Sequence, residues 1–263
     1  MNPTYPYWQK QEQPLFPDLA WNFPEQKSNT VAILGGNSQN FAGTIKMSEY
    51  LANRFPIRNV KTILPDSLRN KLPFLPNIDF APSTDSGSFA KSSILRDTIN
   101  SSDFAILAGD FSRNSATAVA ITDAIQSSSQ PIIIGRDTPD LIASEMASLL
   151  MREQFYIIAS LVQLQKIFRA VYYPKMILLS MPLLPIVEAL HKFTLSYPCT
   201  ILTFHQGQII VANHGNIITT PIESTAYSPI SLWSGTLACN IAAFNLWNPN
   251  KPLEATAAAI LHR

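Results

Sequence analysis

A chain of 263 residues, 46% of them hydrophobic, is long enough to bury the core of one large α/β domain or two small ones. Its 19 basic and 18 acidic residues give a net charge of +1, which provides no electrostatic case for a nucleic-acid or anionic-lipid partner. Two cysteines, Cys199 and Cys239, exclude a disulfide framework and argue against a metal site, so we expect both to be buried.

The first 29 residues contain several prolines and aromatic side chains but neither helical nor strand periodicity. Because Trp8 and Trp21 would be costly to leave in water, we predict an extended N-terminal arm, residues 1–29, that docks on a single domain formed by residues 30–263. This segment also has no apolar core of a secretory signal. The protein is therefore expected to be cytoplasmic.

Short runs of apolar, β-branched residues then alternate with helix-length segments. The predicted strands are VAILG, VKTIL, FAILAG, PIIIG, FYIIAS and KMILLSM, and a proline-containing stretch of irregular structure is expected from Pro65 to Ser88. Continuous apolar runs of this length are typical of strands buried on both faces, and alternation with helices predicts parallel βαβ units. The fold class is thus α/β, with a doubly wound, mostly parallel sheet flanked by helices.

The apolar segment MILLSMPLLPIVEAL contains Pro182 and Pro185 and reaches Glu188, so it is too interrupted to cross a membrane. After it, CTILTF, QIIVAN and NIITTP predict three short strands joined by turns, an antiparallel extension near the C-terminus. His205 and His214 flank the middle strand in turn-like positions. Because no third ligand is visible, we expect both to be exposed rather than to bind a metal.

Ligands of doubly wound sheets bind at the carboxyl ends of the strands, so the strand-to-helix junctions are the candidate sites. The first junction, LGGNSQNFAGT, offers close backbone approach and short polar side chains for a substrate or phosphate. Its candidate binding residues are Gly35, Gly36, Asn37, Gly43 and Thr44. A plain tight turn would explain the same pattern.

The second and third junctions, ILAGDFSRNSAT and IIIGRDTPDLI, carry charged residues. Gly109 and Arg113 are candidates for binding an anion, although such an arginine can equally pair with a neighbouring acid. Asp110 and Asp137 are catalytic candidates for proton transfer. Asp140 follows Pro139 in a predicted first helical turn, where the helix dipole alone would favour it.

The fourth junction, SPISLWSGTLACN, follows a loop that begins at Pro229 and opens a helix rich in small residues. Ser234, Gly235 and Thr236 can present amides and hydroxyls to an anion at the helix N-terminus, or Ser234 can be an ordinary N-cap. This turn contains no carboxylate.

Together the four junctions resemble the ribokinase-like superfamily and, within it, the ADP/ATP-dependent NAD(P)H-hydrate dehydratases. The resemblance extends from Phe23 to His262: VAILGGNSQNFAGT is similar to the family's opening, FAILAGDFSR to its strand and GPGLGR segment, and IIIGRDTPDLI to its DADAL segment. CTILTF to NIITTP, followed by WSGTLACNIAAFNLW, resembles its hairpin and GTGDVLAG helix. Such enzymes couple nucleotide hydrolysis to the loss of water from hydrated NADH or NADPH.

The resemblance implies that a Gly-Thr-Gly-Asp turn forms an anion hole whose Asp handles a proton. Here Gly235 stands in place of that Asp, and Gly135 in place of the first Asp of DADAL, whereas Asp137 matches the second. The GPGLG segment retains only Gly109, and the family's TPHPGE segment is not recognisable in IIASLVQLQKIF. Three separate loops thus depart from the family pattern.

Three hypotheses follow. The first is a catalytically impaired dehydratase-like protein that retains a nucleotide or dinucleotide site. The second is an active ADP/ATP-dependent dehydratase, with an NAD(P)H-type substrate and Mg, whose base is displaced to Asp110, Asp137 or Glu223. The third is a structural or oligomer-forming subunit. The family often forms oligomers, so a homo-oligomer is expected.

Overall fold

The computed structural model describes residues 5–73, 75–225, 227–228 and 233–262, and the loop predicted to begin at Pro229 lies largely outside them. Within these ranges the chain forms ten strands: β1 Trp8–Lys10, β2 Ser28–Gly35, β3 Ile57–Pro65, β4 Ile78–Ala81, β5 Phe104–Gly109, β6 Ile132–Ile134, β7 Phe155–Ile158, β8 Thr200–His205, β9 Gln208–Asn213 and β10 Asn216–Pro221. The helices are α1 Ala42–Arg54, α2 Ser93–Asn100, α3 Ser115–Gln126, α4 Thr138–Leu141, α5 Met146–Leu149, α6 Leu161–Ala170, α7 Leu183–Ser196, α8 Thr236–Trp247 and α9 Pro252–Leu261.

The strands form one sheet in the order β1-β10-β9-β8-β7-β6-β5-β2-β3-β4. Strand β9 is antiparallel to both of its neighbours, β8 and β10, and every other pairing is parallel. The predicted fold class is confirmed, including the antiparallel strands near the C-terminus. Both edge strands are short, which limits the unpaired backbone that the sheet presents.

Helices cover both faces of the sheet, and alternate residues of each strand point to opposite sides. In β5, Ala105 and Leu107 pack on the side of α2, α3 and α5 to α7, whereas Phe104, Ile106 and Ala108 pack on the side of α1, α8 and α9. Because both sides are buried, the strand has no polar position to alternate with. The uninterrupted apolar run therefore arises from the doubly wound architecture.

Three details differ from the sequence expectations. Residues 175–181, predicted as a strand, form a loop, because β8 takes the position beside β7 in the sheet. In this loop Leu178 and Leu179 are exposed. The irregular stretch from Pro65 to Ser88 contains the edge strand β4, and α2 follows it. Both were missed because they are short and only one side of each faces the core.

The N-terminal segment lies along the edge of the sheet. Strand β1 pairs in parallel with β10, and the indole of Trp8 donates a hydrogen bond to the Thr219 hydroxyl at 3.0 Å. Trp21, in a short 3-10 helix, remains 84% exposed. The division into an arm, residues 1–29, and one domain, residues 30–263, stays a prediction, and residues 1–4 lie outside the described ranges.

Cys199 and Cys239 are free and fully buried, as expected, and burial raises the pKa of both thiols. The expectation of two exposed turn histidines is wrong for His205, which ends β8, is buried and has its Nε2 2.7 Å from the Met181 carbonyl oxygen. His214 is exposed at the other end of β9, so the two rings do not meet. In the described residues, no helix is both long and apolar enough to span a membrane.

Candidate functional site

The loops after β2, β5 and β6 meet at the carboxyl end of the sheet. The Asn37 side chain donates a hydrogen bond to the Asp110 carbonyl oxygen at 2.6 Å, and the Gly36 amide donates one to the Gly109 carbonyl oxygen at 2.9 Å. These bonds join the first and second predicted junctions because β2 and β5 are adjacent in the sheet. The Asn37 amide nitrogen, a candidate ligand-binding group, is therefore already used in a hydrogen bond within the protein.

Asp137 lies at the third junction and binds the backbone of the second. Its carboxylate oxygens accept hydrogen bonds from the amides of Asp110, at 2.7 Å, and Phe111, at 3.0 Å. Gly109 has φ +79°, and a Cβ atom there would collide with an Asp137 oxygen, so only glycine fits. With both oxygens used as acceptors, Asp137 shapes this loop and is a poor candidate for proton transfer.

Arg136 fills the space between these loops and α1. Its guanidinium forms an ion pair with Asp110 at 2.6 Å and donates to the Ala108 carbonyl oxygen at 3.3 Å. It also lies against Gly43, where an added Cβ atom would be only 2.7 Å from Nη1. Burial raises the pKa of Asp110, and the attraction of Arg136 only partly opposes this rise.

The sequence did not mark Arg136 as a site residue, although its position directly after a strand-ending glycine was visible. Its backbone has φ +56°, a conformation that arginine rarely adopts and that turns its side chain toward α1. Thr44 and Gly35, by contrast, are packing residues: Thr44 is fully buried, and a Cβ atom at Gly35 would lie 2.6 Å from its hydroxyl. The Thr44 side chain cannot reach a ligand without rearrangement, and Gly35 is a glycine because its neighbours leave no room for a Cβ atom.

The turn before α8 is closed. Gly235 is the N-cap, with φ +97°, so the alternative of Ser234 as N-cap is wrong; the Ser234 and Thr236 hydroxyls instead lie 3.0 Å apart. The Met47 thioether packs so tightly on Gly235 that an added Cβ atom would collide with its sulfur. The space left beside Gly235 measures about 10 Å³, no more than one water needs.

An open cavity of about 420 Å³ lies between the N-terminus of α3, α4 and α6. Its lining comprises Arg113, Asn114, Ser115, Ala118, Asp137, Asp140, Leu141 and Lys166. Asn114 caps α3 by accepting a hydrogen bond from the Thr117 amide at 2.7 Å. Arg113 is exposed and makes no hydrogen bond or ion pair with the described residues. Its positive charge nevertheless lowers the pKa of Asp140 in the same cavity, so both of its alternative roles stay predictions.

Asp140 lies in the first turn of α4, as the sequence indicated, and also forms an ion pair with Lys166. Gln163 donates a further hydrogen bond to it at 2.9 Å. Burial alone would raise the pKa of Asp140, but the hydrogen bonds from Lys166 and Gln163, together with the positive charges of Lys166 and Arg113, outweigh burial and lower it. Its carboxylate is held as an ion within the protein.

The resemblance implies ADP or ATP with Mg, and the two groups fit this site differently. Asp110 is paired with Arg136 and Asp137 binds amides, and the described residues contain no group of three or more His, Cys, Asp or Glu arranged for a metal. These acids do not fit a magnesium ion. The cavity lies within the ~300–1,000 Å³ typical of small-molecule sites, and its Arg113, which forms no hydrogen bond or ion pair with the described residues, fits a phosphate.

Glu223, the third candidate for a displaced base, follows β10. Four strand spacings separate β10 from β6, about 19 Å at ~4.8 Å per spacing. Glu223 is therefore not brought together with Asp110 and Asp137.

No protein-family model matches the chain, and neither does any curated protein. Among solved structures, a ribokinase-like superfamily protein from Enterococcus faecalis V583 superposes with a TM-score of 0.68 at 15% identity, covering 98% of this chain and 86% of that one. A hypothetical protein from Streptococcus mutans superposes with a TM-score of 0.64 at 15% identity, covering 92% and 85%.

The ADP/ATP-dependent NAD(P)H-hydrate dehydratase of Bacillus subtilis, co-crystallised with ATP and Mg²⁺ and soaked with CoA, has a TM-score of 0.57 at 11% identity. That match covers 92% of this chain and 83% of the enzyme. The chain thus has the ribokinase-like fold that its sequence resemblance implies. At these identities the likeness establishes the fold alone.

Proposed function

We propose that this protein is a ribokinase-fold, NAD(P)H-hydrate dehydratase-like protein that binds a nucleotide or dinucleotide and has lost dehydration activity. The observation that carries the proposal is the turn before α8. It contains no carboxylate, and Met47 covers Gly235 so closely that about 10 Å³ remains. A phosphoryl group cannot enter this space, and the described residues of the turn, 233–236, include no carboxylate that could accept a proton from it.

Loss of the carboxylate is expected to lower the rate of dehydration by a large factor. Positioned general bases contribute about 10²–10⁴-fold to rate, and the lost carboxylate would also have oriented the reacting group. The acids that could replace it are engaged: Asp137 holds two amides, and Asp110 is paired with Arg136. These contacts weigh against the hypothesis of an active enzyme with a displaced base.

Binding is supported by the cavity beside α3. Arg113 is unpaired among the described residues, and the amides of the first turn of α3 carry the positive end of the helix dipole. A phosphate of ADP, ATP, NADH or NADPH placed there would interact with both. Lys166 lines the same cavity but is already paired with Asp140, so Arg113 is the principal anion-binding residue of the proposal.

The test is isothermal titration of the full-length chain with ADP, ATP, NADH and NADPH, beside a dehydration assay on hydrated NADH with added nucleotide. We expect binding without turnover, and at least tenfold weaker binding by Arg113→Ala. Arg96→Ala, which removes an exposed arginine from α2, is the matched control and should bind as wild type does. Turnover above a no-enzyme control, or binding that Arg113→Ala leaves unchanged, contradicts the proposal.

A second candidate role, as an oligomer-forming structural subunit in the cytoplasm, is favoured by exposed apolar side chains. Trp21 is 84% exposed and Leu179 is 68% exposed, although large apolar side chains normally become buried. If these residues form an interface between copies, Trp21→Ser and Leu179→Ser should each lower the molar mass measured by light scattering. An unchanged mass in both variants removes the support for this role.

A further inference from the structure

A groove of about 480 Å³ lies between α6 and the loop that precedes α7. Residues 177–180 of that loop form one wall, and α6 forms the other with Leu161, Val162, Gln165, Lys166 and Arg169. These helical residues share one face because they recur at intervals of three and four along α6. The groove shares only Lys166 with the candidate nucleotide cavity, so an inference about it does not rest on the proposed function.

Both walls of this groove carry exposed apolar side chains. Val162 on α6 is 52% exposed, and Leu178 and Leu179 in the loop are 46% and 68% exposed. Single exposed apolar residues are ordinary on a protein surface, but several that line one concave surface mark a binding site. An occupant of the groove therefore has an apolar part.

The ionisable residues of the groove are both basic. Lys166 and Arg169 line it, and no acid is among its described lining residues. Lys166 is already paired with Asp140, whereas Arg169 forms no ion pair with any described residue. The Gln165 side-chain oxygen accepts a hydrogen bond from the Ile177 amide at 2.6 Å, which ties the loop to α6 and leaves the Gln165 amide nitrogen as a donor. An occupant therefore also carries a negative charge.

From this charge complementarity we propose that the groove binds an anion with an unbranched apolar chain, of the fatty-carboxylate class. Its carboxylate would pair with Arg169 and accept a hydrogen bond from Gln165, and its chain would cover the exposed apolar side chains. A cationic amphiphile would meet two basic residues and no acid. A second copy of this chain, related by a two-fold axis, would bring the same two cations into one interface, so it complements the groove less well.

The test is isothermal titration of the full-length chain with octanoate, octan-1-ol and octylammonium. These molecules have the same chain and different charges, and each is used below the concentration at which it aggregates. We expect octanoate to bind at least tenfold more tightly than octan-1-ol, and octylammonium to bind more weakly still. Hexanoate should bind roughly fourfold more weakly than octanoate, because an open groove covers about half of each methylene.

Two variants separate the charged part of the site from the apolar part. Arg169→Gln should weaken octanoate binding about tenfold and leave octan-1-ol binding unchanged, because only the carboxylate uses the guanidinium. Leu178→Ser should weaken both ligands by the same factor, because both bury the same chain. Arg96→Gln, the same change at an exposed arginine of α2, is the matched control and should have no effect.

Equal binding of octanoate and octan-1-ol, no detectable heat from octanoate, or an equal loss in Arg96→Gln and Arg169→Gln overturns the proposal. So does a loss of octanoate binding in Arg113→Ala, because the anion would then occupy the nucleotide cavity. A fall in the molar mass measured by light scattering on adding octanoate assigns the groove to an interface between copies and also overturns the proposal. ADP binding by Arg169→Gln should equal that of wild type, which distinguishes failure at this groove from failure of the proposed function.

Discussion

Asp137 fixes the conformation of Asp110 across two strands of the sheet: its carboxylate accepts hydrogen bonds from the Asp110 and Phe111 amides at 2.7 and 3.0 Å. The bonds hold Asp110 at φ +60°, directly after Gly109 at φ +79°. Arg136 then pairs with the Asp110 side chain. The acid that the sequence resemblance aligns with the second Asp of the DADAL segment thereby shapes a loop.

Replacing this carboxylate should destabilise the protein. We expect Asp137→Ala to lower the free energy of unfolding by about 1–3 kcal/mol, because two amides lose a charged acceptor. Asp137→Asn, which keeps one acceptor oxygen, should lose less. The measurement is urea denaturation, with Asp97→Ala as control, since removing that exposed ion pair should cost under about 1 kcal/mol. Equal losses in Asp137→Ala and Asp97→Ala would contradict the assignment.

We expect the Met47 side chain to block anions from the turn before α8. Met47→Ala is expected to cost about 2–5 kcal/mol, as buried methionine truncations do, and to open space beside Gly235. In an Arg113→Ala background, inorganic phosphate should then raise the melting temperature of the Met47→Ala variant.

The control for this experiment is Met146→Ala, combined with the same Arg113→Ala change. Met146 is also fully buried, but it belongs to the core on the other face of the sheet. A phosphate effect in the Met146→Ala variant as large as in Met47→Ala would show that loosening the core, rather than unblocking Gly235, admits the anion.

Asp140 should make stability depend on pH in the acid range. Its pKa in the folded protein lies below the unfolded value of about 3.9, because the hydrogen bonds from Lys166 and Gln163 and the positive charges of Lys166 and Arg113 together outweigh the effect of burial. The stabilisation is therefore present above about pH 4 and is lost as the pH falls through the lowered folded pKa. In urea denaturation, the deficit of Asp140→Asn relative to wild type should shrink below pH 4; a constant deficit argues against the ion pair.

Gln11 should anchor the N-terminal segment. Its buried amide donates hydrogen bonds to the Thr220 hydroxyl at 3.1 Å and the Ala257 carbonyl oxygen at 2.8 Å, joining the segment to β10 and α9. We expect Gln11→Ala to lower the free energy of unfolding by about 1–3 kcal/mol and to increase proteolysis within residues 5–24. Gln9→Ala, a nearby change in β1, should do neither. Unchanged proteolysis in Gln11→Ala would mean that strand pairing alone holds the segment.

The sequence by itself determined the α/β fold and most of its sheet. Strands such as FAILAG were visible because burial on both faces leaves a continuous apolar run, which local pattern reveals. The same reasoning placed KMILLSM in the sheet, and it failed there because an apolar run does not say which segment occupies a given position. Only the tertiary structure decided that β8 lies beside β7.

The sequence also marked the junctions at which a site can form, since the carboxyl ends of parallel strands meet at one edge. It could not decide what each residue does there. That Asp137 binds amides, that Arg136 covers Gly43 and that Met47 covers Gly235 depend on contacts between residues distant in the chain. Sequence spacing fixes the order of residues along a strand and its loop, but only packing fixes which side chain fills the space between two loops.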